Sequence, residues 1–452
     1  MGKLFGTDGI RGPANIYPMI PEMAVNIGRA VAWLCIKNGK PGKIIIGKDT
    51  RISCSMLEYA LASGICSAGG EAHLAGVLPT PAIAFLTSST NADAGIVISA
   101  SHNPYYDNGI KIFRHDGFKL SDEKEAGIEA LILDNENLLS MCRDIRDTGQ
   151  VYHMENPADK YIEFLKTSLP EDFSLKGMKI IIDCSNGAAS YTAPILFNQL
   201  GADIEALFVN PDGKNINDNC GSQHTEILVK RVRETGADIG LAFDGDSDRL
   251  IAADEKGRVI TGDQILAICA KHMKEQGILK NNLAVSTVMS NLGLSAAFKK
   301  LGIKHLTADV GDRYVMQKML ESGAVIGGED SGHMIFLDHH TTGDGIMTAL
   351  QLLKAVKASS RPLSGLAEIM DVFPQVLLNI EVTDKPDIEN VPEIADAIQK
   401  VEQELGEQGR VLVRYSGTQP MCRVMVEGPT AEITRQCCQD IADVVYALIG
   451  KK

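Results

Sequence analysis

Among 452 residues there is one tryptophan, and no two of the ten cysteines form a CxxC pair. Cys437 and Cys438 are adjacent, which suits neither a zinc site nor a disulfide framework, so the cysteines read as small buried residues in a reducing compartment. No run of about 20 apolar residues occurs, which argues against a membrane-spanning helix. The opening MGKLFGTDGIRG has no apolar stretch of signal-peptide length, and Gly6 stands where a myristoylation signal needs Ser or Thr. The chain is therefore expected in the cytoplasm. Positive charge is also short. There are 44 Lys+Arg against 58 Asp+Glu, a formal charge of −14, which argues against a nucleic-acid binder. It leaves small anionic ligands open, because a few converging arginines outweigh distant surface charge.

What is present is an ordinary folded composition, 44% hydrophobic and 23% charged, on a chain long enough for about three or four units. Ala24, Ile27, Val31 and Leu34 fall on one face of a helix ended by Gly39 and Pro41, with Trp33 on the same helix read as core. A pattern then recurs. Short apolar strands open at Lys43, Lys179 and Leu283, and each precedes a helix that ends near Gly70, Gly201 or Gly302. A second strand follows in each unit, then a third: AGIVIS (94–99), ADIGLAF (237–243) and GAVIGG (323–328). The alternation predicts α/β units with mostly parallel sheets. Each third strand runs into a polar loop, and ligands on such sheets sit at strand carboxyl ends. From about 370 the pattern changes to strands near 376–382 and 410–415 and helices near 391–405 and 430–449, a smaller α+β domain.

The polar loops carry the chemistry. DGDSDR (244–249) sets Asp244, Asp246 and Asp248 at alternate positions after an apolar strand. Three anions so close persist where a cation offsets them, and all-oxygen ligands suit Mg²⁺. A polar turn capping the strand is the bland reading. An EF-hand is rejected, because Arg249 holds the position that needs Gly and strands flank the loop. SASHNP (99–104) offers Ser101, whose hydroxyl can carry a phosphoryl group, and no GxSxG elbow suggests acyl hydrolysis. His102 adjoins Ser101, but adjacency in sequence does not make it a base.

In GGEDSGH (327–333) the pair Gly327-Gly328 allows close backbone approach, and Glu329 and Ser331 can bond sugar hydroxyls. RYSGTQP (414–420) offers the fork of Arg414 with Ser416, Gly417 and Thr418 to an anion, and Arg423 adds charge. GTDGIRG (6–12) brings Arg11 as another anion contact. Taken singly, each of these is also an ordinary turn or hairpin.

Together and in this order, GTDGIRG, SASHNP with DNGIK, DGDSDR, GEDSGH and RYSGTQP resemble the α-D-phosphohexomutase family over essentially the whole chain. VGDRYV (310–315), TTGDGI (341–346) and RVMVEG (423–428) make it most similar to the bacterial phosphoglucosamine mutase branch. The resemblance implies an α/β fold, with three similar α/β domains of mixed, mostly parallel sheets plus a C-terminal α+β domain around a central cleft. The bounds are 1–150, 151–255, 256–369 and 370–452.

It also implies a phosphorylated Ser101 and one Mg²⁺ per chain held by Asp244, Asp246, Asp248 and a phosphoserine oxygen. Glu329 and Ser331 would hold the sugar, while Arg414, Ser416, Gly417 and Thr418 hold the non-reacting phosphate. Lys111 and His333 would serve proton transfer or charge stabilisation, and Arg249 would contact substrate or phosphoserine. The implied reaction interconverts glucosamine 6-phosphate and glucosamine 1-phosphate through a hexosamine 1,6-bisphosphate, for UDP-N-acetylglucosamine synthesis. The expected partner is a small sugar phosphate, with no nucleic acid and no membrane; a homodimer stays open. The alternatives are a phosphomannomutase or phosphoglucomutase of the same family, a phosphatase, and a silent sugar-phosphate sensor. Three positions depart from the family pattern: Gln419 for Glu, Ser247 for Gly, and Asp330 at a variable site.

Overall fold

A computed structural model of the chain describes residues 4–6, 8–36, 40–416 and 420–451. They form two compact units, Met1–Val288 with Lys304–Glu368, and Met289–Ile303 with Ile369–Lys452. Among the described residues no helix is long and apolar enough to cross a membrane.

The first unit holds three sheets of six, five and four strands. Each has one of the expected apolar strands in its interior: Lys43–Lys48, Lys179–Asp183 and Leu283–Thr287. Ile44, Ile45 and Ile46 are fully buried, as are Ile180, Ile181 and Ile182, because helices cover both faces of a parallel sheet and leave no side for polar residues. Each central strand pairs in parallel with the two that follow it in the pattern.

Each sheet then adds an antiparallel return strand that the repeat did not reveal. Ala94–Ile98 is followed by Asp107–Arg114, Ile239–Phe243 by Leu250–Asp254, and Ile326–Gly328 by Met334–Phe336. The three polar loops are therefore tips of hairpins, anchored on both sides by ladder hydrogen bonds. This rigidity is what a reacting group needs from its support.

The first helix, Pro21–Cys35, starts on a proline and buries Ala24, Ile27 and Val31 as its spacing predicts. Leu34 and Trp33, expected inward, are 50% and 40% exposed, and Trp33 instead lies under the Arg143 guanidinium, 5.3 Å from its ring centre. In that last turn only Ala32 and Cys35 reach the core, and Trp33 and Leu34 stand on its outer side.

In the second unit Arg410–Tyr415 and Gln375–Glu381 flank Met421–Glu427 in an antiparallel sheet. The helix Ala431–Ile449 buries Thr434, Cys437, Cys438, Ile441, Ala442, Val445 and Ile449, a 3.6-residue stripe. The adjacent cysteines are thus core residues, and none of the ten cysteines is in a disulfide.

Candidate functional site

Ser101 sits at the first hairpin tip, fully buried, with φ of 53° in the left-handed region. That conformation costs an L-residue about 1–2 kcal/mol, so the surroundings must hold it. Arg51 does most of this. Its buried guanidinium pairs with Asp49 at 2.8 Å and donates to the carbonyls of Ser101 and Asn103, each at 2.8 Å, of Asp107 at 3.1 Å, and of Pro104. Asn217 donates to the same Ser101 and Asn103 carbonyls at 2.9 and 3.0 Å. Ser99 Oγ accepts from the Ser101 N–H at 2.9 Å while donating to Asp49 at 2.6 Å. Sequence reasoning missed Asp49 and Arg51; the signal was GKDTR (47–51), two charges directly after a buried strand.

The second tip brings the three aspartates together. One carboxylate oxygen from each of Asp244, Asp246 and Asp248 lies within 4.8 Å of the others, and all three residues are buried. Ser101 Oγ donates to Asp244 Oδ2 at 2.5 Å. Ser247, at φ 60°, takes the left-handed turn that Gly often supplies. Thr80, also missed, donates its hydroxyl to Asp246 Oδ2 at 2.6 Å and its N–H to the Asp246 carbonyl at 2.9 Å.

Lys111 is the buried cation of this cluster, 2.9 Å from Asp246, 3.3 Å from Asp248 and 3.0 Å from Asp8. Burial would lower its pKa, but the three carboxylates hold it well above the usual lysine range. Burial likewise opposes ionisation of Asp246, yet the Lys111 ammonium holds that carboxyl below its ordinary value. Asp244 goes the other way: burial, then the charges of Asp248 and Asp246, push its carboxyl well up. Oδ1 of Asp246 and Oδ1 of Asp248 are buried without a hydrogen-bond partner among the described residues. Orphaned anionic oxygens, a repelled third carboxylate and a neighbouring hydroxyl make an all-oxygen donor set that fits a hard divalent cation.

The third tip lies against the second. Leu250 donates to the Gly332 carbonyl at 3.0 Å, and Arg249 bridges His333. Glu329 accepts from the Gly311 N–H at 3.2 Å, and burial raises its carboxyl. Ser331 is half-buried. His333 is 3% exposed and neither ring nitrogen has a hydrogen-bond partner among the described residues. Arg249 Nε is 3.7 Å from Asp248 Oδ1 and has no hydrogen-bond partner among the described residues. His102 lies 3.5 Å from Ser101 Oγ; burial, then Arg249 and Arg11, push its pKa down to about 4. Arg11 pairs with Asp8, whose other partners are Lys111 and Lys119.

In the second unit Arg414 and Arg423 are directly opposed in the sheet. Burial, then Arg423, lower the Arg414 pKa, and Arg423 Nε is buried without a hydrogen-bond partner among the described residues. Like charges face to face destabilise a strand pair, and a bound anion would offset that repulsion. Ser416 is buried beside it, its carbonyl accepting from Lys385 at 2.7 Å. Gly417, Thr418 and Gln419 lie outside the described residues.

Comparison with known proteins covers the chain from end to end. It matches the phosphoglucomutase/phosphomannomutase alpha/beta/alpha domains I, II and III over residues 2–139, 159–257 and 261–373, and the C-terminal domain over 377–444. A phosphoglucosamine mutase of Syntrophus aciditrophicus is 59% identical over 450 residues, covering 100% of both chains. Among solved structures, a phosphoglucomutase/phosphomannomutase family protein from Burkholderia thailandensis superposes with a TM-score of 0.79 at 25% identity, covering 98% of this chain and 97% of that one. The N-acetylphosphoglucosamine mutase of Aspergillus fumigatus, in complex with GlcNAc-6P and magnesium, shares the fold with a TM-score of 0.65 at 16% identity, covering 98% and 95%.

Proposed function

The chain belongs to the phosphoglucomutase/phosphomannomutase family and is an isomerase, a phosphohexomutase; on that premise we propose that it interconverts glucosamine 6-phosphate and glucosamine 1-phosphate through a phosphorylated Ser101. The observation that carries the proposal is the 2.5 Å contact of the Ser101 hydroxyl with a buried three-aspartate cluster. The sugar assignment is supported by the full-length relative named as a phosphoglucosamine mutase.

In the first half-reaction phosphorylated Ser101 gives its phosphoryl group to the free hydroxyl of the hexosamine monophosphate. A hexosamine 1,6-bisphosphate results, turns over, and returns its other phosphoryl group to Ser101. Asp244, Asp246 and Asp248 with a phosphoserine oxygen would hold Mg²⁺, which when bound supplies neutralisation of the transferring group's charge. Buried Lys111 and half-buried Arg249, cations beside the triad, add to that stabilisation. Glu329 and Ser331 take the sugar hydroxyls, and His333 holds the proton that leaves the attacking hydroxyl. Arg414 and Arg423, with Ser416, Gly417 and Thr418, grip the phosphate that is not reacting, and Arg11 is a further anion contact.

The partner is a small sugar phosphate rather than nucleic acid or membrane, in keeping with the −14 charge. Ten cysteines outside any disulfide fit a reducing cytoplasm, where the product would feed UDP-N-acetylglucosamine synthesis. A coupled assay of glucosamine, glucose and mannose phosphates, with Mg²⁺ and a trace of hexose bisphosphate, tests the reading. Preference for glucosamine is expected. Preference for mannose or glucose would make the chain a phosphomannomutase or phosphoglucomutase, and release of free phosphate would make it a phosphatase.

A further inference from the structure

VGDRYV and TTGDGI have no part in the chemistry so far, yet both converge on His333. Asp312, the first residue of the helix Asp312–Ser322, sets its Oδ2 3.7 Å from His333 Nε2. Gly343 lies flat against the ring, where a Cβ would stand 2.3 Å from both Cε1 and Nε2. Asp312 is itself held. Its Oδ2 receives the Lys119 ammonium, its Oδ1 accepts the Arg313 N–H at 2.8 Å, and Lys119 reaches on to Asp8 at 2.5 Å. Through Lys111 the alternation of charge continues to Asp246 and Asp248. Asp312, Lys119 and His333 line one cavity of about 660 Å³.

A buried imidazole with two unmet nitrogens is costly unless something outside the described contacts completes it. Nε2 faces a carboxylate; Nδ1 is buried without a hydrogen-bond partner among the described residues. A carboxylate facing one ring nitrogen fixes the tautomer by drawing the N–H to that side, and catalytic contacts that are long without ligand tighten when it binds. We propose that Asp312 is the positioning residue of His333: it places the ring hydrogen on Nε2 and leaves the Nδ1 lone pair for the substrate hydroxyl. Gly343 supplies the space in which the ring can stand that way. This rests on the mutase reading, in which His333 carries the hydroxyl proton.

The test is a double-mutant cycle in the mutase assay, with melting temperature followed for every variant. Asp312→Asn should lower kcat by roughly 10- to 100-fold, the range for residues that orient a functional histidine, with KM within about threefold. Asp312→Glu should recover part of the loss. In a His333→Gln background, Asp312→Asn should cost nothing further, because a residue acting only through His333 has nothing left to act on. Losses that multiply in the double variant, or a raised KM with unchanged kcat, would overturn the proposal. If Asp312→Asn does not fold, Asp312→Glu carries the same cycle. A wild-type enzyme inactive on all three sugar phosphates would instead defeat the mutase reading.

Discussion

The Ser101 hydroxyl donates a 2.5 Å hydrogen bond to Asp244 across 143 residues of sequence, tip to tip between two hairpins. Each partner is fixed by its own strand pair, so the contact is a property of the fold and not of one flexible side chain. Removing the hydroxyl removes the group proposed to carry the phosphoryl while leaving the cage of Arg51, Asp49 and Asn217 in place. Ser101→Ala should therefore bring mutase turnover to background with an unchanged melting temperature. Near-normal turnover in that variant would refute the nucleophile.

Asp246 has Lys111 and Thr80 on one oxygen and no hydrogen-bond partner among the described residues on the other. Asp246→Asn keeps the shape and removes the charge. The Mg²⁺ titration should move to higher concentration, and kcat should fall about 100-fold or more, the scale of losing one electrostatic stabiliser in an active site. An unchanged metal titration would count against the three aspartates as the cation site.

Arg414 faces Arg423 across the sheet. Arg414→Ala should raise KM about 10- to 100-fold, as expected for losing a charge-assisted hydrogen bond worth roughly 1.5–3 kcal/mol. It should also leave stability equal or slightly higher, because the facing like charge is relieved. An unaltered KM would remove Arg414 from phosphate binding.

Burial raises the Asp344 carboxyl to about 7, against hydrogen bonds from the Met347 N–H and from Tyr161 at 2.7 Å. Burial raises Asp183 to about 7 as well. An unfolded aspartate titrates near about 3.9. Between about pH 4 and 7 the unfolded chain loses these protons while the native protein keeps them, so their contribution to stability is full below about 4 and declines as pH rises through 7. Asp344→Asn keeps the helix cap through its Oδ1 and turns its amide N–H toward the Tyr161 hydroxyl, which then accepts. Urea titrations from pH 4 to 8 should show a shallower decline in this variant than in the parent; parallel curves would contradict the buried-acid assignment.

The parts of the fold legible in the sequence were those encoded locally. Buried triple-isoleucine strands, the 3.6-residue stripe of Ala431–Ile449 and the polar tips are each written within about 20 residues. The return strands were not seen, because Asp107–Arg114 is as buried as its partner and shows no alternation to mark it. The supports of the site were invisible for another reason. Arg51 meets Ser101, Thr80 meets Asp246, and Asp312 meets His333 only after the chain has folded over separations of 50, 166 and 21 residues. A lone Arg, Thr or Asp carries no period that would announce such a partner. Leu34 and Trp33 show the converse, since helical spacing names a face without saying where the neighbouring layer stops.

The most direct measurement follows the phosphoryl group itself. The purified chain, given Mg²⁺ and glucosamine 1,6-bisphosphate labelled in its phosphates, should acquire label on the peptide containing Ser101, approaching one per chain. Unlabelled glucosamine 6-phosphate should then chase that label into sugar phosphate. Turnover with no label at Ser101, or label that leaves only as free phosphate, would contradict the account.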